Sequence, residues 1–204
     1  MSECTQCELH CERTQIVYPT PCLPGGLLVI GEAPGADEDQ AGEGFVGQSG
    51  RVLDALLRKH GLRRRIEYGV ANIARCRPPG NRKPTSAEKA ACLPHLANAI
   101  VTIRPRALLL VGGTAISVIL GAGSVFRRVQ QSRESAFCDF SLSHPAFAEA
   151  LKRESPTLFS HGINAIPMPH TSGLAWNRPA ADCRRWSAIG EEQVELAASI
   201  LKRS

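Results

Sequence analysis

Four short segments of this chain, each rich in apolar residues, indicate strands. They occupy Leu27–Ile30, Ile66–Ile73, Ala107–Val111 and Ile163–Met168. Apolar runs of this length are typical of strands that are buried on both faces of a parallel sheet. Because stretches with helical spacing separate the runs, the pattern predicts an α/β fold with helices on both faces of a parallel sheet.

The helices between these runs are predicted from apolar spacing and from capping residues. They span Ser49–His60, a stretch from Thr85 or Ser86 to Ile103 with a kink at Pro94, Thr114–Leu120, and Ser187–Leu201. Residues 121–162 show no clear period, so no element is predicted there. The chain of 204 residues suits one domain, residues 1–204. Ligands of such folds bind beyond the carboxyl ends of the strands, so we expect a site in the loops after strands one, two and four.

One segment is long enough and apolar enough to suggest a membrane span. Ala107–Phe126 contains no charged residue, but it includes Gly112, Gly113 and Gly121. We interpret it as a buried strand, a turn and a short helix, and we expect no contact with a membrane. The net charge of +5 permits a polyanionic partner without requiring one.

Eight cysteines are the most unusual entry in the composition. The first ten residues lack an apolar signal core, so we expect a cytoplasmic protein with reduced thiols. Cys4 and Cys7 form a CxxC pair, and Cys76 and Cys92 form a second, distant pair. Such a set can hold zinc or an iron–sulfur cluster, but four unrelated thiols remain an alternative, and Cys11 is a competing ligand. We expect the other cysteines, Cys22, Cys138 and Cys183, to be ordinary thiols.

Two long motifs follow the amino-terminal CxxC in a fixed order. They read GEAPGADEDQAGEGFVGQSGRVLDALL, from Gly31, and ANIARCRPPGNRKPTSAEKAAC, from Ala71. Together these segments closely resemble the iron–sulfur uracil-DNA glycosylases of the family 4 type. The resemblance implies a three-layer α/β/α sandwich around a four-stranded parallel sheet. It also implies one [4Fe–4S] cluster, whose ligands at the matching positions are Cys4, Cys7, Cys76 and Cys92.

The same resemblance implies a reaction. The expected enzyme is a monomeric, monofunctional DNA repair glycosylase that binds uracil-containing DNA, hydrolyses the N-glycosidic bond of uracil and leaves an abasic site. By position, Glu32 and His170 are the expected catalytic residues. The expected substrate-binding residues are Gly31, Ala33, Pro34, Gly35, Glu38, Phe45 and Asn72.

Each of these residue types suits one need of that chemistry. Phe45 offers a flat ring for a base to stack on, and the Asn72 amide can pair with uracil N3–H and O4, a pattern that cytosine reverses. His170 can donate a hydrogen bond to O2 and stabilise the departing anion. Glu32 can position water or stabilise charge on the sugar, and Glu38 can close the pocket near uracil C5 and hinder thymine.

Contacts with the DNA strand are expected on either side of this pocket. The candidate residues are Arg82, Ser172, Leu174 and Arg178, with Leu174 as the wedge that fills the space left by the base. Arg75, Arg77 and Lys83 add positive charge around the cysteine loop.

Two features depart from the family pattern. Thr171 stands where members usually have proline after the histidine, and residues 124–164 are longer than expected. The loop Pro79–Lys83 lacks the histidine of a related branch that traps DNA covalently, which favours a hydrolase that turns over.

The alternative from another class is a non-catalytic iron–sulfur or zinc protein that binds nucleic acid. It would keep the cysteines and arginines without needing Asn72 or His170.

Overall fold

A five-stranded sheet forms the centre of the protein. The computed structural model describes residues 4–202, without the side chain of Leu174. The strands are β1 (Leu27–Gly31), β2 (Tyr68–Asn72), β3 (Ala107–Val111), β4 (Phe137–Cys138) and β5 (Ile163–Met168). Their order across the sheet is β2-β1-β3-β5-β4. The first four strands in this order pair in parallel, and β4 pairs antiparallel with β5 at the edge.

Helices connect the strands and cover the sheet. They are α1 (Ala36–Ala41), α2 (Gln48–Lys59), α3 (Ser86–Ile103), α4 (Gly112–Leu120), α5 (Val125–Glu134), α6 (Pro145–Glu154), α7 (Pro156–His161), α8 (Gly173–Trp176) and α9 (Trp186–Lys202). Short 3₁₀ helices occupy Glu8–His10 and Pro79–Asn81. Of the two candidate caps, Thr85 rather than Ser86 caps α3, and it forms reciprocal hydrogen bonds with Glu88. Pro94 lies within α3 without ending it.

Alternate side chains of each central strand enter opposite cores. In β1 and β3, Leu28 and Leu108 pack in the core that α3, α4 and α6 cover. Leu27 and Leu109 pack in the core that α2 and α9 cover. All five positions of β1, β2 and β3 are buried, which explains why these strands do not alternate between apolar and polar residues. Asn72, at the end of β2, is the buried polar exception among them. The predicted α/β fold with helices on both faces is therefore confirmed.

The prediction of a four-stranded, all-parallel sheet is wrong in one respect. β4 adds a fifth, antiparallel strand at the edge, within residues 121–162, which also form helices α5 to α7. A strand of two residues is too short to give a period, so the sequence did not indicate it. α1 was likewise not predicted, because its sequence, ADEDQA, carries almost no apolar residue.

The apolar run Ala107–Phe126 divides between elements of the core. Its first part is β3, its middle is α4, and its last residues begin α5. Among the described residues, no helix is both long enough and apolar enough to cross a membrane.

The chain that precedes β1 closes the outer edge of β2. Thr20 and Val70 exchange two backbone hydrogen bonds, of 2.8 and 2.9 Å. Gly69 makes this close approach possible, since a Cβ there would collide with the Thr20 carbonyl oxygen and lie 2.9 Å from the Pro21 carbonyl carbon. The edge strand is thus paired rather than open to other chains.

We therefore expect Gly69→Ala to lower the free energy of unfolding by more than about 1 kcal/mol. The cost of moving the Thr20–Pro21 backbone away from the new Cβ exceeds the small gain in strand propensity. Urea unfolding measures the change. Gly113→Ala is the matched control, since its Cβ would meet nothing closer than 3.9 Å and a helical alanine is favourable. Equal stability of Gly69→Ala and the wild-type chain would contradict the close approach.

Candidate active site

A cavity of about 440 Å³ lies beyond the carboxyl ends of the parallel strands. Gly31 ends β1, Asn72 ends β2, Val111 ends β3, and His170 follows β5. The cavity brings together all of the predicted catalytic and substrate-binding residues: Gly31, Glu32, Ala33, Pro34, Gly35, Glu38, Phe45, Asn72 and His170. This is the place where α/β sheets of this kind bind ligands.

Phe45 and Asn72 approach each other over Gly31. A Cβ on Gly31 would lie 2.6 Å from the Phe45 Cζ and 2.5 Å from the Asn72 Oδ1. Gly31 and Asn72 are also direct partners in the β1–β2 register. The missing side chain therefore leaves room for an aromatic ring and an amide to line the same corner of the cavity.

Asn72 is a buried residue, with an exposed fraction of 8%. Within the described part of the chain, neither its amide oxygen nor its amide nitrogen has a hydrogen-bond partner. These two atoms are not among the fully buried polar atoms that lack a partner in residues 4–202, so they face the open cavity, where a ligand can pair with both. The amide can therefore bind a planar group that presents a donor beside an acceptor.

Phe45 lies in a tight turn, residues 44–47, which we call the Phe45 turn. The backbone of Phe45 has φ 58°, in the left-handed region that is unfavourable for a bulky residue. Gly50 permits the turn, because any Cβ at Gly50 would collide with the Phe45 carbonyl group.

Glu38 stabilises the Phe45 turn from the side of α1. One carboxylate oxygen accepts hydrogen bonds from the Val46 and Gly47 amides at 3.0 and 2.8 Å, and the other accepts one from Gly35 at 3.0 Å. The glutamate was predicted to close the pocket against thymine. Its carboxylate does line the cavity, and it also supports the backbone that carries the aromatic ring.

His170 presents its imidazole to the cavity in a defined tautomer. Its Nδ1 accepts a hydrogen bond from the Ser172 backbone amide at 3.0 Å, so the ring proton resides on Nε2. Desolvation by the surrounding protein lowers the pKa of His170, while the nearby Glu32 opposes this shift. The ring is therefore a neutral hydrogen-bond donor at neutral pH.

Glu32 is held in the same cavity by a residue that the sequence analysis did not single out. The Thr114 hydroxyl, in the first turn of α4, donates to one oxygen of the Glu32 carboxylate. The other oxygen has no partner within residues 4–202. Glu32 can therefore accept a hydrogen bond from water or place a negative charge beside a bound ligand.

The predicted DNA-binding residues occupy different environments. Arg82 and Ser172 line the cavity, whereas Arg178 is exposed beyond α8. The Leu174 side chain lies outside the described part of the structure. Arg82 also forms a two-pronged ion pair with Glu88, at 2.6 and 2.8 Å, which partly neutralises it.

Several residues of the cavity were missed at the sequence level. They are Ser49, Gly50, Pro78, Asn81 and Val111 in the wall, and Thr114 behind Glu32. The loop after strand three was not among the expected sites, although the rule on carboxyl ends applies equally to it. The Gly-Gly-Thr sequence that follows β3 was the available signal.

The four predicted metal ligands also come together. Cys4, Cys7, Cys76 and Cys92 line one small pocket between the amino-terminal segment and α3, whereas Cys11 does not. Arg13 donates to the Cys76 sulfur at 3.1 Å, and the Arg75 amide donates to the Cys92 sulfur at 3.3 Å. Burial raises the pKa of both of these thiols.

No three or more His, Cys, Asp or Glu side chains in residues 4–202 are placed to hold a single metal ion. The ligands of a [4Fe–4S] cluster need not converge on a single ion, because each iron of the cluster binds one cysteine. Four thiols around one pocket, with hydrogen bonds directed at two of the sulfurs, fit that donor set.

The Arg82–Glu88 pair gives a pH dependence that can be tested. The Arg82 guanidinium lowers the pKa of Glu88 to about 2, so the pair stabilises the folded chain above the pKa of an unfolded glutamate and is lost as the pH falls towards 2. We expect Glu88→Gln, which keeps the cap of α3, to lower the free energy of unfolding at pH 7 and to lower it less at pH 3.5. Glu149→Gln, at an exposed site on α6, is the control. A pH-independent difference for Glu88→Gln would contradict the ion pair.

Comparison with known proteins agrees with this geometry. A model of the uracil DNA glycosylase superfamily matches residues 22–191. The whole chain is 34% identical to the type-4 uracil-DNA glycosylase of Thermotoga maritima and covers 92% of that protein. Proteins of the same name from Pyrobaculum aerophilum and Archaeoglobus fulgidus are each 39% identical, over 55% and 57% of this chain and 57% and 58% of their own lengths. The chain therefore belongs to the uracil-DNA glycosylase superfamily and, within it, to the type-4 uracil-DNA glycosylases.

Proposed function

We propose that this protein is a monofunctional glycosylase that removes uracil from DNA by hydrolysis and leaves an abasic site. The observation that carries the proposal is the amide of the buried residue Asn72, whose donor and acceptor are open to the same cavity as the Phe45 ring and His170. Uracil presents the complementary N3–H and O4 on one edge. Cytosine presents the reverse pattern and would leave both amide atoms of a fixed Asn72 unsatisfied.

A base inside a duplex cannot reach this cavity, so the uracil nucleotide must leave the stack. The Phe45 ring then supports one face of the uracil, while Asn72 binds its edge. Stacking contributes affinity for any base, whereas the amide contributes selectivity. The wall formed by Ala33, Pro34 and Gly35 limits the space around the base.

Bond cleavage moves charge in a direction that the cavity accommodates. As the bond between C1′ and N1 breaks, its electron pair passes to the uracil and negative charge develops on O2. The neutral His170 donates from Nε2 to O2, because its Nδ1 is already occupied by the Ser172 amide. Water attacks C1′, and Glu32, held by Thr114, positions that water and offsets positive charge on the sugar. The proton that the water loses passes through solvent to N1 of the uracil anion, so the products are the abasic sugar hydroxyl and neutral uracil.

We also propose that Cys4, Cys7, Cys76 and Cys92 hold a [4Fe–4S] cluster. When bound, the cluster supplies a structural link between the amino-terminal segment and the loop that carries Asn81 and Arg82. Those two residues line the cavity, so the link would help to order one of its walls. DNA phosphates are the proposed partners of the exposed Arg82, Lys83 and Arg178.

The alternative of a non-catalytic nucleic-acid-binding protein accounts for fewer observations. It would use the cysteines and the exposed arginines. It gives no role to an unsatisfied Asn72 amide or to a histidine fixed as a donor within the same cavity.

The test of the function is excision from oligonucleotides that contain one uracil, opposite guanine, opposite adenine or in a single strand. Purified protein should produce sites that alkali cleaves, and the same oligonucleotide with cytosine should remain intact. Absence of product from all three uracil substrates would overturn the proposal.

Two substitutions assign the excision to this cavity. We expect His170→Ala to slow single-turnover excision about a hundredfold, because one donor to the developing anion is lost. Asn72→Asp should impair excision comparably, because it replaces the donor to O4 with an acceptor. Both variants should melt within a few degrees of the wild-type chain, and His161→Ala, at an exposed site on α7, is the matched control. Excision by His170→Ala at the wild-type rate would remove the histidine from the mechanism.

The cluster has an independent test in metal analysis. The wild-type protein should contain iron and acid-labile sulfide in equal amounts, and the double variant Cys76→Ser/Cys92→Ser should contain neither. Cys138→Ser alters a buried cysteine outside this pocket and should retain both. A wild-type protein that contains zinc alone would contradict the cluster.

A further inference from the structure

The Phe45 turn needs support on both of its sides. A phenylalanine with φ 58° is held in a conformation that an isolated chain disfavours. Such a residue keeps its orientation only where its neighbours fix the backbone. Glu38 binds the amide groups of Val46 and Gly47, which accounts for one side of the turn.

Arg64 supplies the other side. It lies between α2 and β2, and its guanidinium donates to the Phe45 carbonyl at 3.3 Å and to the Gly44 carbonyl. Its side chain is 17% exposed, and it forms an ion pair with Glu43 at 3.3 Å. The carbonyl groups on one side of the turn and the amide groups on the other are thus each bound by a charged side chain.

We propose that Arg64 is a positioning residue, which fixes the orientation of the Phe45 ring and thereby the affinity of the cavity for a pyrimidine base outside the helix. The inference rests on the function proposed above. Arg64 itself does not line the cavity, so it acts through Phe45 rather than by touching the base.

The geometry explains why arginine suits this position. Two nitrogens of one planar guanidinium reach two successive carbonyl groups, which a lysine ammonium could match at only one of them. Hydrogen bonds from a charged donor are also stronger than those between neutral groups. The adjacent Arg65 does not share this role, because it is 63% exposed and pairs with Glu43 at 3.1 Å.

The first test compares matched variants at the two neighbouring arginines. Arg64→Met keeps the aliphatic stem but loses both carbonyl contacts, and we expect about a tenfold loss in kcat/KM for uracil excision. The inhibition constant of free uracil should rise by a similar factor, since the ring contributes affinity. Arg64→Lys should recover part of the loss, and Arg65→Met should behave as the wild-type chain does. Equal losses in Arg64→Met and Arg65→Met would overturn the inference.

The second test is a double-mutant cycle with Phe45→Ala. It distinguishes an effect of Arg64 that passes through the Phe45 ring from a general effect of Arg64 on the structure, because only the first disappears when the ring is removed. If Arg64 acts through the ring, Arg64→Met should cause no further loss once the ring is absent. Should Arg64→Met fail to fold at the assay temperature, the cycle with Arg64→Lys gives the same comparison.

The outcomes separate this inference from the function on which it rests. If the double variant loses a further tenfold or so in kcat/KM relative to Phe45→Ala alone, the role of Arg64 is overturned, whereas the proposed function of the wild-type chain is not affected. Wild-type kinetics in Arg64→Met would do the same. Absence of excision by the wild-type chain would overturn the proposed function and this inference together.

Discussion

The parallel pairing of β1 with β2 sets the geometry of the whole site. Its register sets Gly31 opposite Asn72, and the missing side chain of Gly31 leaves the space where the Phe45 ring meets the amide. A shift of the register by one residue would set Ala71 or Ile73 opposite Gly31 and turn Asn72 to the other face. Burial of β1 and β2 on both faces opposes such a shift, so the apolar core and the geometry of the site have the same origin.

Around that fixed point, charged and neutral polar groups hold the loops of the site through hydrogen bonds to backbone and side-chain atoms. Glu38 and Arg64 bind opposite sides of the Phe45 turn, and Thr114 holds Glu32. The Ser172 amide fixes the tautomer of His170, and the Thr171 hydroxyl donates to the Ser49 carbonyl at 2.9 Å. Proline at that position could not make this last bond, so threonine replaces ring rigidity with a link between the histidine loop and α2. The site is thus organised before any base enters it, which is how preorganised donors contribute to catalysis.

The sequence predicted the strands and most long helices because continuous apolar runs and capping residues are local signals. Phe45, Asn72 and His170 could be predicted from the two long motifs and the position after the last strand, and all three line the cavity. β4 could not, since two residues carry no period. Arg64 and Thr114 were missed for another reason. Their roles depend on distant partners, Phe45 and Glu32, and a run of arginines or a Gly-Gly-Thr turn looks like an ordinary surface loop in sequence. The cysteines show the converse, because their spacing indicates a metal site but says nothing about the reaction.

The Asn72 amide and the Phe45 ring should bind uracil at the carboxyl ends of the parallel strands, and a crystal structure of the protein with free uracil would show whether they do. In that complex, uracil N3–H and O4 should contact the two amide atoms of Asn72, with the uracil ring stacked on Phe45 and O2 facing the His170 Nε2. Uracil bound elsewhere on the protein, or bound here with its N3–O4 edge turned away from Asn72, would rule out this mode of recognition.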